Sequence, residues 1–164
     1  MIRCECVKEQ TSQSIYSPGL VTDEEPIVLA LIDPLTFGQG SIKALKHDQL
    51  KKSSMSVVRA NHINAALAKS LTVDVLIMND PTRTDHGFAY ALCREIRAIH
   101  LNVQGIGAFC VIDDALEQFH AHAHLGYSNV EEKKNDRITA RGNLLRLFMK
   151  RGFFPAWVGQ PFAT

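Results

Sequence analysis

His120-Ala121-His122-Ala123-His124-Leu125-Gly126-Tyr127-Ser128-Asn129 is the stretch over which the fold of this chain is decided. Successive side chains of a strand leave on opposite faces. Read as a strand, the stretch puts His120, His122 and His124 on one face, neighbours roughly 6.5–7 Å apart by the strand rise. Phe119, Ala121, Ala123 and Leu125 then form a small apolar second face, suited to lie against helices. Read as a helix, capped at Asp114 and ended at Gly126, it leaves only His120 and His124 on a common face. Ser128, followed three residues later by Glu131, has the form of a capping box that opens a new helix. A helix N-terminus attracts anions, so a row of imidazoles is expected to lead into an anion seat.

Outward from this stretch, apolar runs alternate with turn signals. The run from Pro26 to Ile32 stops at Asp33-Pro34 and reads as a buried strand or a short helix; Met55 to Arg59 reads as a strand. Ile63, Ala66, Leu67 and Ser70 fall at helical spacing, as do Phe88, Leu92, Ile96 and Ile99. Helices are therefore expected at 62–70 and 88–100, with Asn61 as a good N-cap for the first. The run at 73–78 is ambiguous in type, and a strand is expected to end at Asp113-Asp114. A last helix is expected at 129–150, its inner stripe formed by Ile138, Arg141, Leu145 and Phe148, with acidic residues at its start and basic ones at its end.

A chain of 164 residues fits one domain with a real core, and 46% hydrophobic with 21% charged residues is ordinary for a globular protein. Residues 1–25, with short strand 2–7 and a polar, turn-rich remainder, read as an N-terminal arm; 26–164 read as a single α+β domain with a small mixed sheet packed by three or more helices. A formal charge of +1 gives no case for nucleic acid or a membrane surface as partner, and the apolar run at 27–32 is too short to span a bilayer. No apolar leader follows Met1, and Cys4, Cys6, Cys93 and Cys110 include no C-x-x-C pair, so reduced thiols in a cytoplasm are expected. The C-terminal tail carries the only tryptophan, Trp157, which either docks on the body or joins a second copy as a homodimer contact.

Chemistry concentrates at the histidines. His122 and His124, with His120, are the candidate catalytic residues, and His122 with His124 the candidate metal ligands. Asp85, His86, Asp113 or Asp114 would supply the third ligand, and imidazoles suit zinc or another transition metal. Arg59, Tyr127 and Ser128 are the candidate ligand-binding residues. Gly38-Gln39-Gly40 lies in no phosphate-loop pattern, and no G-x-S-x-G elbow is present.

Two resemblances bear on this site. His120 to Gly126 resembles the His-x-His-x-His-x-x motif of histidine triad nucleotide hydrolases and transferases, which implies His122 as nucleophile at an α-phosphate. The 38 residues after Gly126, opening with a helix, depart from that family, which usually closes soon after its motif. More broadly, Ser54-Met55-Ser56-Val57-Val58-Arg59 with His122-Ala123-His124-Leu125-Gly126-Tyr127 looks like a group of small uncharacterised bacterial proteins, some carried in mobile gene arrays. That resemblance implies Arg59 and His122 as members of one site. No complete catalytic constellation can be assembled from spacing alone, so a cytoplasmic protein binding a small molecule or a protein partner comes first. A metal-dependent hydrolase using His120, His122 and His124, or phosphoryl transfer through His122, is the enzyme alternative.

Overall fold

The computed structural model describes residues 7–12, 14–43, 50, 55–101, 107–128 and 133–154. The strands are β1 (Pro26–Asp33), β2 (Phe37–Gly38), β3 (Ser41–Ile42), β4 (Met55–Arg59), β5 (Thr84–Leu92), β6 (Phe109–Asp113) and β7 (His122–Tyr127). The helices are α1 (Ala65–Lys69), α2 (Val75–Asn79), α3 (Cys93–Arg97) and α4 (Lys134–Met149), with a wider π-helical turn, Ser70–Asp74, running straight from α1 into α2. Five strands form one sheet in the order β5-β1-β4-β7-β6, and β2 with β3 makes a separate two-stranded ribbon. The class is α+β. Every described ladder is antiparallel, so the sheet is not the mixed one expected. No described helix is long and apolar enough to cross a membrane.

The sheet is covered on both faces, which is why its strands are nearly continuous apolar runs. On the first face Ile27, Leu29, Val57, Ala91, Val111, Ala123 and Leu125 pack with Ile96 of α3 and Ala140, Leu144 and Phe148 of α4. On the second, Val28, Ile32, Val58, Phe88, Tyr90, Phe119 and Ala121 meet Ala68 and Val73 of the helical rod 65–79. This two-sided burial misled the periodicity at 88–92: Phe88, Tyr90 and Leu92 alternate with Ala89 and Ala91, all buried, so the expected helix 88–100 is β5 followed by the short α3. The ambiguous run at 73–78 is helical.

Three local details also correct the sequence. Helix α1 is capped by Asn64, whose side chain accepts from the Leu67 N–H at 2.9 Å, whereas Asn61 lies in a preceding 3-10 turn. Helix α4 turns Arg137, Ala140, Leu144 and Phe148 inward, and Ile138 is exposed. That rotation sets the Arg137 guanidinium over the Tyr127 ring, 5.9 Å from its centroid, while the Tyr127 hydroxyl donates to the Arg137 carbonyl at 3.2 Å. Cys110 is disulfide-bonded, so the expectation of reduced thiols fails there; Cys93 is free and buried. Of the expected strand at 2–7 only Val7 is described, in the 3-10 turn Val7–Gln10, and the tail with Trp157 also lies outside the described residues. Just before the tail, Phe154 exchanges two backbone hydrogen bonds with Phe88, extending the sheet past β5.

Candidate functional site

The site is produced by the register of β4, β7 and β6. Val58 pairs with His122, and Ser56 with His124; Ile112 pairs with His124 from the other side, and the Asp114 N–H reaches the His122 carbonyl at 3.4 Å. Residues directly opposite in a ladder share a face. His122, His124, Ser56 and Asp114 therefore emerge together on the second face, half-way along a rigid sheet.

Within this group the hydrogen bonds define a direction. His122 is buried, and its Nδ1 lies 2.8 Å from the Asp114 backbone carbonyl and 3.4 Å from the Asp114 carboxylate. A carbonyl only accepts, so Nδ1 carries the proton and Nε2 is left as an acceptor. Nε2 is 3.1 Å from Ser56 Oγ, which donates to it. His124 Nδ1 lies 3.5 Å from the same carboxylate, and the two imidazoles meet edge to face at 4.9 Å. Burial holds His124 below its ordinary value, the neighbouring His122 acts in the same direction, and Asp114 opposes both. One ligand atom from each of Asp114, His122 and His124 lies within 4.8 Å of the others, so these three could together hold a metal ion.

His120 does not join them. It sits in the turn before β7, exposed, with its ring stacked on Tyr16 at 6.1 Å. The strand reading thus holds from His122 onward but not for the first histidine. Of the expected third ligands, only Asp114 arrives.

Next to the group a cavity of about 470 Å³ opens between the sheet and the helical rod. Its origin is a split in the sheet: the β1–β4 ladder has only the pairs Ile27 with Arg59 and Val28 with Val58. Beyond them Thr36 takes over the β1 edge, donating from Oγ1 to the Ala30 carbonyl at 2.6 Å and accepting from the Ile32 N–H at 2.7 Å. The walls are Val28, Ala30, Val58, Leu71, Val75 and Phe119 among others, with Thr36, Ser56, Thr72 and His122 as the polar members. Thr36 is committed to β1, and Thr72 donates to the Ala68 carbonyl at 2.7 Å. Ser56 and His122 bond to each other at the cavity wall, and the Ser56 oxygen keeps lone pairs that can accept from a polar group in the cavity. The π-helical turn supplies Leu71 and Thr72 to the opposite wall.

The ligand-binding candidates fall elsewhere. Arg59 is on the first face, 1% exposed, and all five of its N–H donors are matched. Nε and one Nη2 donor go to Glu25 at 2.7 and 2.8 Å; Nη1 serves the Gly19 carbonyl at 2.7 Å and Asp113 at 2.8 Å, and Nη2 also reaches the Leu20 carbonyl at 3.2 Å. It ties the N-terminal arm to β4 and β6 and is not in one site with His122. Tyr127 is buried in the first core. The Ser128 hydroxyl donates to the Gly107 carbonyl, and α4 starts only at Lys134, so the expected capping box at Ser128 does not open it. No described Lys or Arg lines the cavity beside His122, and the expected anion seat is absent there.

Sequence reasoning named Asp114 as one of four possible third ligands beside His122, and missed Ser56 as its partner. The Ser-x-Ser piece and the Asp113-Asp114 pair were visible, but only the ladder register brings them to the histidine. Comparison with protein-family models, with curated proteins and with solved structures finds no match for this chain.

Proposed function

We propose that the protein binds a small, largely apolar molecule in the cavity between the sheet and the helical rod, with one polar group of the ligand held at the Ser56–His122 pair. The observation that carries this is the cavity: about 470 Å³, walled mainly by aliphatic and aromatic side chains, with the Ser56–His122 pair as a polar spot on its wall. Small-molecule sites fall in the range of roughly 300–1,000 Å³ and have this apolar lining with few polar groups. 1-Decanol, an uncharged probe, titrated calorimetrically into the full chain, is expected to bind saturably at one site. Ala30→Leu places a larger side chain in the lining and is expected to weaken that binding at least tenfold without lowering the melting temperature. Absence of binding to the wild type, or equal binding to both, refutes the reading.

A second reading rests on the Asp114–His122–His124 group. The spacings of 3.4 and 3.5 Å from the Asp114 carboxylate to the two Nδ1 atoms are near the roughly 3.4 Å that separates neighbouring ligands around a tetrahedral zinc with bonds of about 2.1 Å. An ion there would take His122 Nδ1 from its bond to the Asp114 carbonyl, so the hydrogen-bonded arrangement favours the first reading. Metal analysis of the wild type beside His122→Ala and His124→Ala decides it: near-stoichiometric metal lost in both variants supports a metal centre, and none in the wild type excludes it.

A further inference from the structure

Resting on the cavity as a ligand site, we propose that Ser56, His122 and Asp114 form a nucleophilic relay that hydrolyses small apolar carboxylic esters bound there. Each link is present without any rearrangement. Ser56 Oγ is 3.1 Å from His122 Nε2, the ring nitrogen left unprotonated by the Nδ1–H bond to the Asp114 carbonyl at 2.8 Å. The Asp114 carboxylate, 3.4 Å from the same Nδ1, is placed to stabilise the imidazolium once Nε2 accepts a proton. A serine hydroxyl is a weak nucleophile until such a base takes its proton, and a base held in one tautomer by a third group is the arrangement that activates it. Ser56 and His122 both line the apolar cavity, whereas the Ser56 side is open to solvent, which gives substrate entry and water for deacylation.

The split in the sheet adds a donor. Arg59 N–H donates to the Ala121 carbonyl on the β7 side at 2.8 Å. Amides alternate along an antiparallel strand, so those of Ser56 and Val58 turn toward β1. Val58 meets Val28 there, but the ladder ends at that pair. The Ser56 amide thus faces the split, where a negative oxygen developing on the substrate carbonyl would gain from it.

The chemistry balances with water as the only co-reactant. Ser56 Oγ bonds to the ester carbonyl carbon while its proton passes to His122 Nε2. The carbon–alkoxy bond then breaks, and the departing oxygen takes that proton as an alcohol. Water attacks the acyl-serine and gives its proton to Nε2; the acyl–Oγ bond breaks, the carboxylic acid leaves, and Ser56 regains its proton. The cavity lining predicts that a butyrate or octanoate ester is turned over faster than an acetate.

The test combines turnover of p-nitrophenyl acetate, butyrate and octanoate with a fluorophosphonate label, read by intact mass and peptide mapping on the full chain. The expected result is one label on Ser56, and loss of at least about a thousandfold in kcat for Ser56→Ala and His122→Gln. Asp114→Asn, a positioning change, is expected to lower kcat while leaving KM near the wild-type value. An unchanged circular dichroism spectrum and melting temperature serve as the folding control for Ser56→Ala. If wild type and Ser56→Ala hydrolyse alike, or the label misses Ser56, the relay is overturned while decanol binding to the wild type leaves the cavity reading standing. If decanol also fails to bind the wild type, the cavity reading falls with it. Turnover that survives Ser56→Ala and is abolished by chelator overturns the relay in favour of the metal centre.

Discussion

Replacing Arg59 by Met removes a cation that is 1% exposed and leaves two buried carboxylates, among the described residues Asp113 with only the Ser12 hydroxyl and Glu25 with only the Thr22 N–H and the His62 imidazole, 3.5 Å away. Breaking a buried ion pair in this way costs about 3–5 kcal/mol, because the remaining charge stays desolvated. For a domain of this size that corresponds to a fall in melting temperature of about 6–20 °C. The pH dependence gives a sharper check. In the wild type, burial pushes the Glu25 carboxyl up, but hydrogen bonds from Arg59 and from the Thr22 N–H, with the charge of Arg59, outweigh it and hold Glu25 below its ordinary value. A depressed carboxyl contributes stability that is present above its unfolded value, near 4.5, and is lost as pH falls through the folded value. In Arg59→Met, only the Thr22 N–H and His62 still oppose burial, so the folded value rises and acid neutralises the buried carboxyl more readily. The variant therefore recovers as the wild type weakens, and the gap in melting temperature should narrow from pH 7 to pH 4. Thermal denaturation followed by circular dichroism at both values measures this. A gap under about 1 kcal/mol at pH 7, or one that widens in acid, would refute the claim that Arg59 neutralises two desolvated carboxylates.

Asn64→Ala removes the one side-chain cap of the helical rod and should cost about 1 kcal/mol by urea denaturation with an unchanged m-value. Phe154→Ala removes a ring 5.7 Å from Tyr90 and should cost about 2 kcal/mol, seen as a lower melting temperature. His124, held below its ordinary 6.5, favours the folded state most when neutral; stability should fall as pH drops from about 6.5 to 5, and His124→Asn should flatten that fall. Glu9→Gln keeps an acceptor for the Val111 N–H, at 2.9 Å in the wild type, and should be milder than Glu9→Ala, which strips the β6 edge of it.

The class and the strand at the histidines were legible because alternation survives at His122 to Tyr127, where the two faces differ in chemistry. It was illegible at 88–92, where both faces are apolar and period carries no information. The last helix was legible in place but not in rotation: Arg137 faces inward because Tyr127 offers it an aromatic face, and a charge pointing into the core contradicts any amphipathic stripe read from hydrophobicity. The weight placed on Arg59 as a ligand-binding residue failed for a related reason. A lone arginine looks the same in sequence whether it awaits an anion or is saturated by two carboxylates and two carbonyls of the arm.

Asp113 and Asp114 show most plainly what register contributes. They are neighbours of one residue type, and the strand period sends them to opposite faces. Asp113 turns to the first face and neutralises Arg59 at 2.8 Å; Asp114 turns to the second and lies against both imidazoles. Val58 and Arg59 divide the same way on β4, one beside the cavity and the other in the ion-pair lock. Shifting β4 by one residue would exchange its faces, bringing the buried cation toward the cavity and turning Ser56 away from His122. The lock on the first face holds that register against slippage, because Arg59 binds β6, the Glu25 entry to β1 and the arm at once. Precise placement of Ser56 and Asp114 around His122 is thus a consequence of an ion-pair cluster that never touches them.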